Sequence, residues 1–143
     1  MMKKYISTIA IVVSVLFAGC SIVSVEESAK PDVSLTNTYF KVISLEGAQI
    51  EVFEREPFIQ FEADGGVKGH LGCNDFFGSF KTEGKKISFI HIGSTKMMCP
   101  NLNTEDAFSQ VLYDVKMYKI EGESLIFYNN DGEVIARFQA VYF

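Results

Sequence analysis

The pattern of apolar and polar residues from Thr38 onward consists mainly of short segments with β-type periodicity. Ile59, Phe61 and Ala63 alternate with polar residues, which puts them on one face of a strand. The segments that read as strands are Tyr39 to Leu45, Ile50 to Phe53, Phe58 to Ala63, Val67 to Leu71, Phe76 to Thr82, Ile87 to Ile92, Met117 to Glu121, Leu125 to Tyr128 and Val134 to Phe143. Short turns rich in Gly, Asn and Asp separate many of them. Such turns favour antiparallel pairing, because parallel strands need long crossovers.

One segment has a helical period instead. Phe108, Val111, Leu112 and Val115 recur at the spacing of a single helix face, which predicts a helix from about Thr104 to Val115. Asn103 or Thr104 is the expected N-cap. Many antiparallel strands with one helix predict an α+β fold: a strongly curved antiparallel sheet, or a partly open β-barrel, with the helix packed on or into it.

The first 20 residues resemble a bacterial lipoprotein signal. Lys3 and Lys4 precede an apolar stretch that is too short for a permanent membrane span, and small residues lead into Cys20. We therefore expect residues 1–19 to be a signal peptide and Cys20 to carry the lipid, including palmitate. Residues 20–37 would be a flexible linker and residues 38–143 one folded domain.

Composition excludes some partners. The formal net charge is −5 and the sequence pI is about 5.0, and no basic stripe follows any segment. Since nucleic-acid binding relies on a basic surface, nucleic acid is not an expected partner. No cofactor motif is present, and we expect none.

Two segments hold the other two cysteines. Gly72, Cys73 and Asn74 read as a tight turn or bulge that opens a strand, because Gly and Asn tolerate left-handed backbone. In an oxidising envelope Cys73 and Cys99 are candidates for a disulfide, and two buried free thiols are the alternative.

Other chemistry can be written from the same residues. A zinc shell could draw on His70, Cys73, Asp75, His91 and Cys99, but only His70 and Cys73 have tight spacing. A Cys–His nucleophile pair has no sequence support beyond the residue types. We therefore expect neither a metal site nor a catalytic residue.

The motifs resemble those of the META domain family, the family of the bacterial heat-shock protein HslJ. The resemblance rests on the turn at residues 72–74, the segment at residues 94–99, the helix and the closing strands, and it covers roughly residues 34–138. The family motif falls on Gly72, Cys73, Asn74, Gly78, Ser94, Thr95, Lys96, Met97 and Cys99.

The resemblance implies a small, non-enzymatic envelope protein linked to heat shock, stress response or antibiotic tolerance. It would be lipid-anchored through Cys20 at a membrane, with the outer membrane facing the periplasm favoured, and would bind an unidentified protein or hydrophobic ligand. The alternative is a carrier or pilot-type module that holds a lipid or hydrophobic tail in the barrel cavity.

Overall fold

The computed structural model describes residues 30–48 and 50–143. Its elements in chain order are β1 (Tyr39–Leu45), β2 (Phe58–Phe61), β3 (Gly66–His70), β4 (Asp75–Glu83), β5 (Lys86–Ser94), α1 (Asn103–Asp114), β6 (Met117–Glu121), β7 (Ser124–Tyr128) and β8 (Val134–Val141). Each strand pairs antiparallel with its neighbour in sequence, and β8 returns to pair with β1. The curved antiparallel sheet therefore closes in a ring, which confirms the α+β prediction.

Two local predictions are wrong. Residues 50–53 form no strand, because the backbone N–H of Glu51 donates to Thr104 Oγ1 at 2.9 Å and the segment is tied to the start of α1. For the same reason Thr104 does not cap the helix. Leu102 holds the N-cap position without a side-chain cap, and Asn103 is already the first helical residue.

Aromatic side chains fill the interior of the ring. Phe108 of α1 packs with ring centroids 5.7 Å from Phe76 on β4 and 5.8 Å from Phe138 on β8. The phenylalanines with less than 2% exposure are Phe40, Phe61, Phe76, Phe108, Phe127 and Phe138. Burial of an aromatic side chain contributes about 1.5–3 kcal/mol, so the helix is held mainly by its apolar face.

The ring has one thin junction, between β5 and β6. Lys86 and Met117 form the only register pair there within the described residues. Two backbone bonds flank that pair, from Ile87 N–H to Lys116 O and from Tyr118 N–H to Lys85 O. The ring is closed there by the shortest strand pairing among the described residues.

The two ends of the ring differ. The loop end carries the β1–β2 loop (residues 46–57), the β3–β4 turn (residues 71–74) and the β5–α1 loop (residues 95–102), because antiparallel strands bring these connections to one side. The opposite end, here the tail end, holds residues 36–38 and 142–143. The chain therefore enters the ring on the side away from the loop end.

Residues 30–37, which were expected to be linker, contact the ring. Val33 N–H donates to Gly122 O at 2.9 Å, and Asp32 Oδ1 accepts from Gly122 N–H at 2.7 Å. Val33 and Leu35 pack against the core. In the described part of the chain no helix is long and apolar enough to cross a membrane.

Candidate functional site

Asn74 is the centre of the motif. The residue is buried, with only 3% of its surface exposed. Asn74 Oδ1 accepts hydrogen bonds from Thr95 Oγ1 at 2.9 Å and from Met97 N–H at 2.6 Å. The β3–β4 turn is thereby joined to the β5–α1 loop, which lies more than 20 residues further along the chain.

The same side chain joins the turn to the helix. Asn74 Nδ2 donates to Glu105 Oε1 at 3.0 Å, and Asn74 N–H donates to Glu105 Oε2 at 2.7 Å. Glu105 lies in the first turn of α1, where a carboxylate also suits the positive end of the helix dipole. One asparagine thus connects a turn, a loop and a helix. We call the hydrogen-bond network of Asn74, Thr95, Met97 and Glu105 the Asn74 network.

A disulfide between Cys73 and Cys99 lies beside the Asn74 network. The two Cα atoms are 6.1 Å apart, within the usual range of about 4.4–6.8 Å. Of the two states left open by the sequence, the structure has the bridged one. The bonded sulfurs are not available as a thiolate nucleophile or as zinc ligands.

Gly72 has a conformation and a neighbour that exclude most side chains. Its φ is +124°, in the region that L-residues rarely adopt. A Cβ there would lie 3.1 Å from Thr104 Cγ2. The glycine therefore lets the turn pack directly on the first turn of α1.

Gly78 on β4 lies opposite a bulge in the neighbouring strand β5. The β4–β5 register shifts between Phe77 and Ser79, and His91 on β5 takes a left-handed φ of +54°. A Cβ on Gly78 would lie 3.0 Å from the carbonyl oxygens of Ile90 and His91. The glycine is thus required by the close approach of the bulged strand.

The remaining motif positions are mainly structural or exposed. Ser94 ends β5 opposite Phe76. Met97 takes part in the Asn74 network through its backbone N–H, and its side chain is exposed. Lys96 is exposed, and within residues 30–48 and 50–143 it forms no ion pair. Cys20 lies outside the described residues.

A second polar cluster consists of Arg55, His70 and Asp75. The sequence suggested His70 and Asp75 only as zinc ligands and did not indicate their contact with Arg55. His70 Nδ1 lies 3.0 Å from Asp75 Oδ1 and 2.9 Å from Arg55 Nη2, and Arg55 also pairs with Asp75. Partial burial works to raise the pKa of the Asp75 carboxyl, but the hydrogen bonds from His70 and Arg55 outweigh it and hold that pKa below its ordinary value. The pairing of His70 with Asp75 could be anticipated from a hairpin register, whereas nothing near Arg55 signals its contact.

The suggested zinc shell is not assembled. His70 lies opposite Asp75 on the β3–β4 hairpin, while His91 lies at the β5 bulge beside Gly78. No group of three or more His, Cys, Asp or Glu side chains in the described part of the chain is arranged to hold a metal ion.

The loop end presents apolar side chains to solvent. Met98 is 99% exposed, and the exposed apolar residues of the two loops are Val52, Phe53, Met97, Met98 and Leu102. Glu51 ties the loops together, since its N–H donates to Thr104 and its carboxylate accepts from Asn101 Nδ2. We call these five side chains the loop-end surface. These apolar side chains lie on loops that are held by the Glu51 hydrogen bonds, the Asn74 network and the disulfide.

The chain belongs to the META domain family, whose model matches residues 33–142. Its fold is similar to the NMR structure of a protein from Burkholderia xenovorans, with a TM-score of 0.62 at 18% identity over 76% of this chain and 85% of that chain. A second NMR structure of a protein is similar, with a TM-score of 0.60 at 18% identity over 75% and 94% of the two chains. None of the curated proteins matches the sequence. At such identities the structural likeness shows the fold alone.

Proposed function

We propose that this META domain protein is a lipid-anchored protein of the bacterial cell envelope that contributes to stress or antibiotic tolerance and envelope integrity by binding a partner protein. The proposal assigns it no catalytic reaction. The observation that carries it is the loop-end surface, where Val52, Phe53, Met97, Met98 and Leu102 are exposed on loops that are hydrogen-bonded to one another. Apolar side chains that are exposed together at one end of a domain are candidates for contact with a partner.

The direction of the chain supports an anchored arrangement. Cys20 would carry the lipid, and the chain reaches the ring at the tail end, through residues 30–37. The loop end lies at the opposite end of the ring. A lipid on Cys20 would therefore hold the tail end toward the membrane, preferably the outer membrane on its periplasmic side, and leave the loop-end surface free for a protein.

The use of the motif residues also supports binding over catalysis. The polar groups of Asn74, Thr95 and Glu105 hydrogen-bond to one another or to backbone, and Cys73 is bonded to Cys99. Groups engaged in this way hold loops in place. The motif would thus set the shape of the loop-end surface.

The carrier alternative is not favoured. A tail inside the ring would need space that Phe40, Phe61, Phe108, Phe127 and Phe138 occupy, since each is less than 2% exposed. Opening such space would cost the dispersion and burial energy of the aromatic core.

The anchor is tested by feeding cells a clickable palmitate analogue and fractionating their membranes. The full chain should carry the label and sediment with the membrane, and Cys20→Ser should lose both. Cys73→Ala, which keeps Cys20, is the control and should stay labelled. Equal labelling of the Cys20→Ser variant would contradict the anchor.

The binding surface is tested by complementation. A strain lacking the protein would be challenged with heat or an envelope-acting antibiotic, and the native chain should restore growth. Met98→Asp should fail at equal abundance, whereas Ile43→Asp, which alters an exposed apolar residue on β1, should succeed. Full rescue by Met98→Asp combined with Phe53→Asp would refute the proposed surface.

A further inference from the structure

Beyond the short pairing with β6, one edge of β5 has no neighbouring strand among the described residues. Beyond Ile87, no backbone hydrogen bond joins β5 to α1 or β6 within residues 30–48 and 50–143. Alternate residues of an antiparallel strand point their N–H and C=O groups to the same edge, so Phe89 shares the direction of Ile87. Past the bulge, Thr95 N–H points to Asp75 O on β4, and Ser94 therefore faces the open edge. Main-chain donors and acceptors are thus presented along the strand.

A groove runs beside this edge. Its volume is about 550 Å³, and it lies between β5 and α1. Phe89, Leu112 and Val115 form an apolar floor, and Ile92 and Tyr113 line it with exposed side chains. An unpaired strand edge above an apolar floor is the geometry in which an extended peptide adds a strand, with main-chain bonds for affinity and alternate side chains in the groove for specificity.

The groove continues into a basic hollow. A second depression of about 740 Å³ shares Ser88 and Lys116 with the first. Its lining includes Lys81, Lys86 and Lys116, with Glu83 as the one acidic member. None of the three lysines forms an ion pair with another described residue. In a chain of net charge −5 this local excess of lysine favours a negatively charged partner.

We propose that the open edge of β5 and its groove bind an extended peptide segment of a partner protein, with alternating apolar side chains and an acidic end. The apolar side chains would enter the groove over Phe89 and Leu112, and the carboxylates would lie against Lys86 and Lys116. An acyl chain could fill the same apolar floor, but it offers no groups to pair with the main chain of β5. This surface differs from the loop-end surface, and its test does not depend on a lipid at Cys20.

The probe is a fluorescent synthetic peptide with a run of glutamates followed by alternating threonine and valine. Its affinity for the full chain would be measured by anisotropy, and hydrogen exchange of residues 88–94 by mass spectrometry. Saturable binding with slower exchange in that segment is expected. Lys86→Glu should weaken binding by about fivefold or more, while Lys96→Glu, an equal charge change outside the groove, should alter it by less than about twofold.

Side-chain and main-chain contributions are separated by two further controls. Ile92→Ser should weaken binding and Ile43→Ser should not, since both residues are exposed isoleucines on strands but only Ile92 lines the groove. A peptide with prolines at alternate positions cannot pair with the strand and should not bind.

Four results would overturn the proposal. They are an absence of saturable binding, equal binding of the proline peptide, protection of a segment other than 88–94, and equal affinity of Lys86→Glu and native chains. Protection of residues 88–94 by oleate alone, or by self-association seen in sedimentation, would assign the edge to a lipid or to a second copy instead of a peptide.

Discussion

Replacement of Asn74 by alanine is the most informative perturbation of the motif. The change removes the two hydrogen bonds accepted by Oδ1, from Thr95 and Met97, and those donated by Nδ2 to Glu105. The backbone bond from Asn74 N–H to Glu105 remains. The turn, the loop and the helix would then lose their shared side chain.

The magnitude follows from the kind and burial of these bonds. A neutral hydrogen bond contributes about 1 kcal/mol net and one to a charged group about 1.5–3 kcal/mol, and each of these bonds is made by the buried side chain of Asn74. The sum is about 3–5 kcal/mol. Since small domains are stable by only about 5–15 kcal/mol, Asn74→Ala should lower the urea midpoint strongly.

The assay is urea unfolding of the full chain, followed by intrinsic tyrosine fluorescence. Asn130→Ala is the matched control, because Asn130 is exposed in the β7–β8 turn and should change stability by less than about 0.5 kcal/mol. A double-mutant cycle with Glu105→Ala should give a coupling energy of about 1–2 kcal/mol. A loss of unfolding free energy for Asn74→Ala no larger than that of the control would refute a structural role for the Asn74 network.

Four further variants test other parts of the structure. Gly72→Val should melt well below Lys85→Ala, because its Cβ meets Thr104 at an unfavourable φ; equal melting temperatures would refute that reason. Joint replacement of Cys73 and Cys99 by alanine should cost about 3–4 kcal/mol in urea, given their separation of 26 residues, and an unchanged midpoint would count against the bridge. Asp75 has a lowered folded-state pKa, so its pairing contributes stability above the unfolded pKa of about 3.9 and loses it as pH falls through the folded value. Asp75→Asn should therefore flatten the acid limb of the urea midpoint below about pH 5, and an unaltered limb would contradict the pairing. His91→Gly should raise stability by about 1 kcal/mol because it relieves the left-handed φ, whereas a loss would show that the His91 side chain contributes more than the strain costs.

Local patterns predicted the strands well where they were uninterrupted. Met117–Glu121 and Tyr39–Leu45 have the bounds that alternation and β-rich composition indicate. β2 and β3 are likewise joined by one of the short turns that favour antiparallel pairing, at residues 62–65. In these cases neighbouring residues determine both the conformation and the pairing partner.

Long-range contacts decided the features that the sequence left open. Residues 50–53 have strand-like composition, yet Glu51 N–H is bound by a side chain 53 positions away. The Asn74 to Glu105 bond spans 31 positions, so the motif was visible in the sequence while its role was not. Arg55 likewise reaches a hairpin 15 to 20 positions on, with no local periodicity to indicate it.

The β4–β5 bulge could be predicted from the sequence only in part. Gly78 was recognised as a motif position, but the need for glycine there comes from the left-handed backbone of His91 on the next strand. Histidine at that φ is uncommon, so composition could not place the bulge. Only the paired register makes the glycine and the histidine parts of one feature.

The measurement that tests the account most directly is the intact mass of the full chain after alkylation, with and without prior reduction. In the structure Cys73 and Cys99 are bonded to each other beside the Asn74 network, so the motif offers no reactive thiol. Both cysteines should therefore take up label only after reduction. Free labelling of both without reduction would contradict this expectation, and would return the thiols to consideration as ligands or nucleophiles.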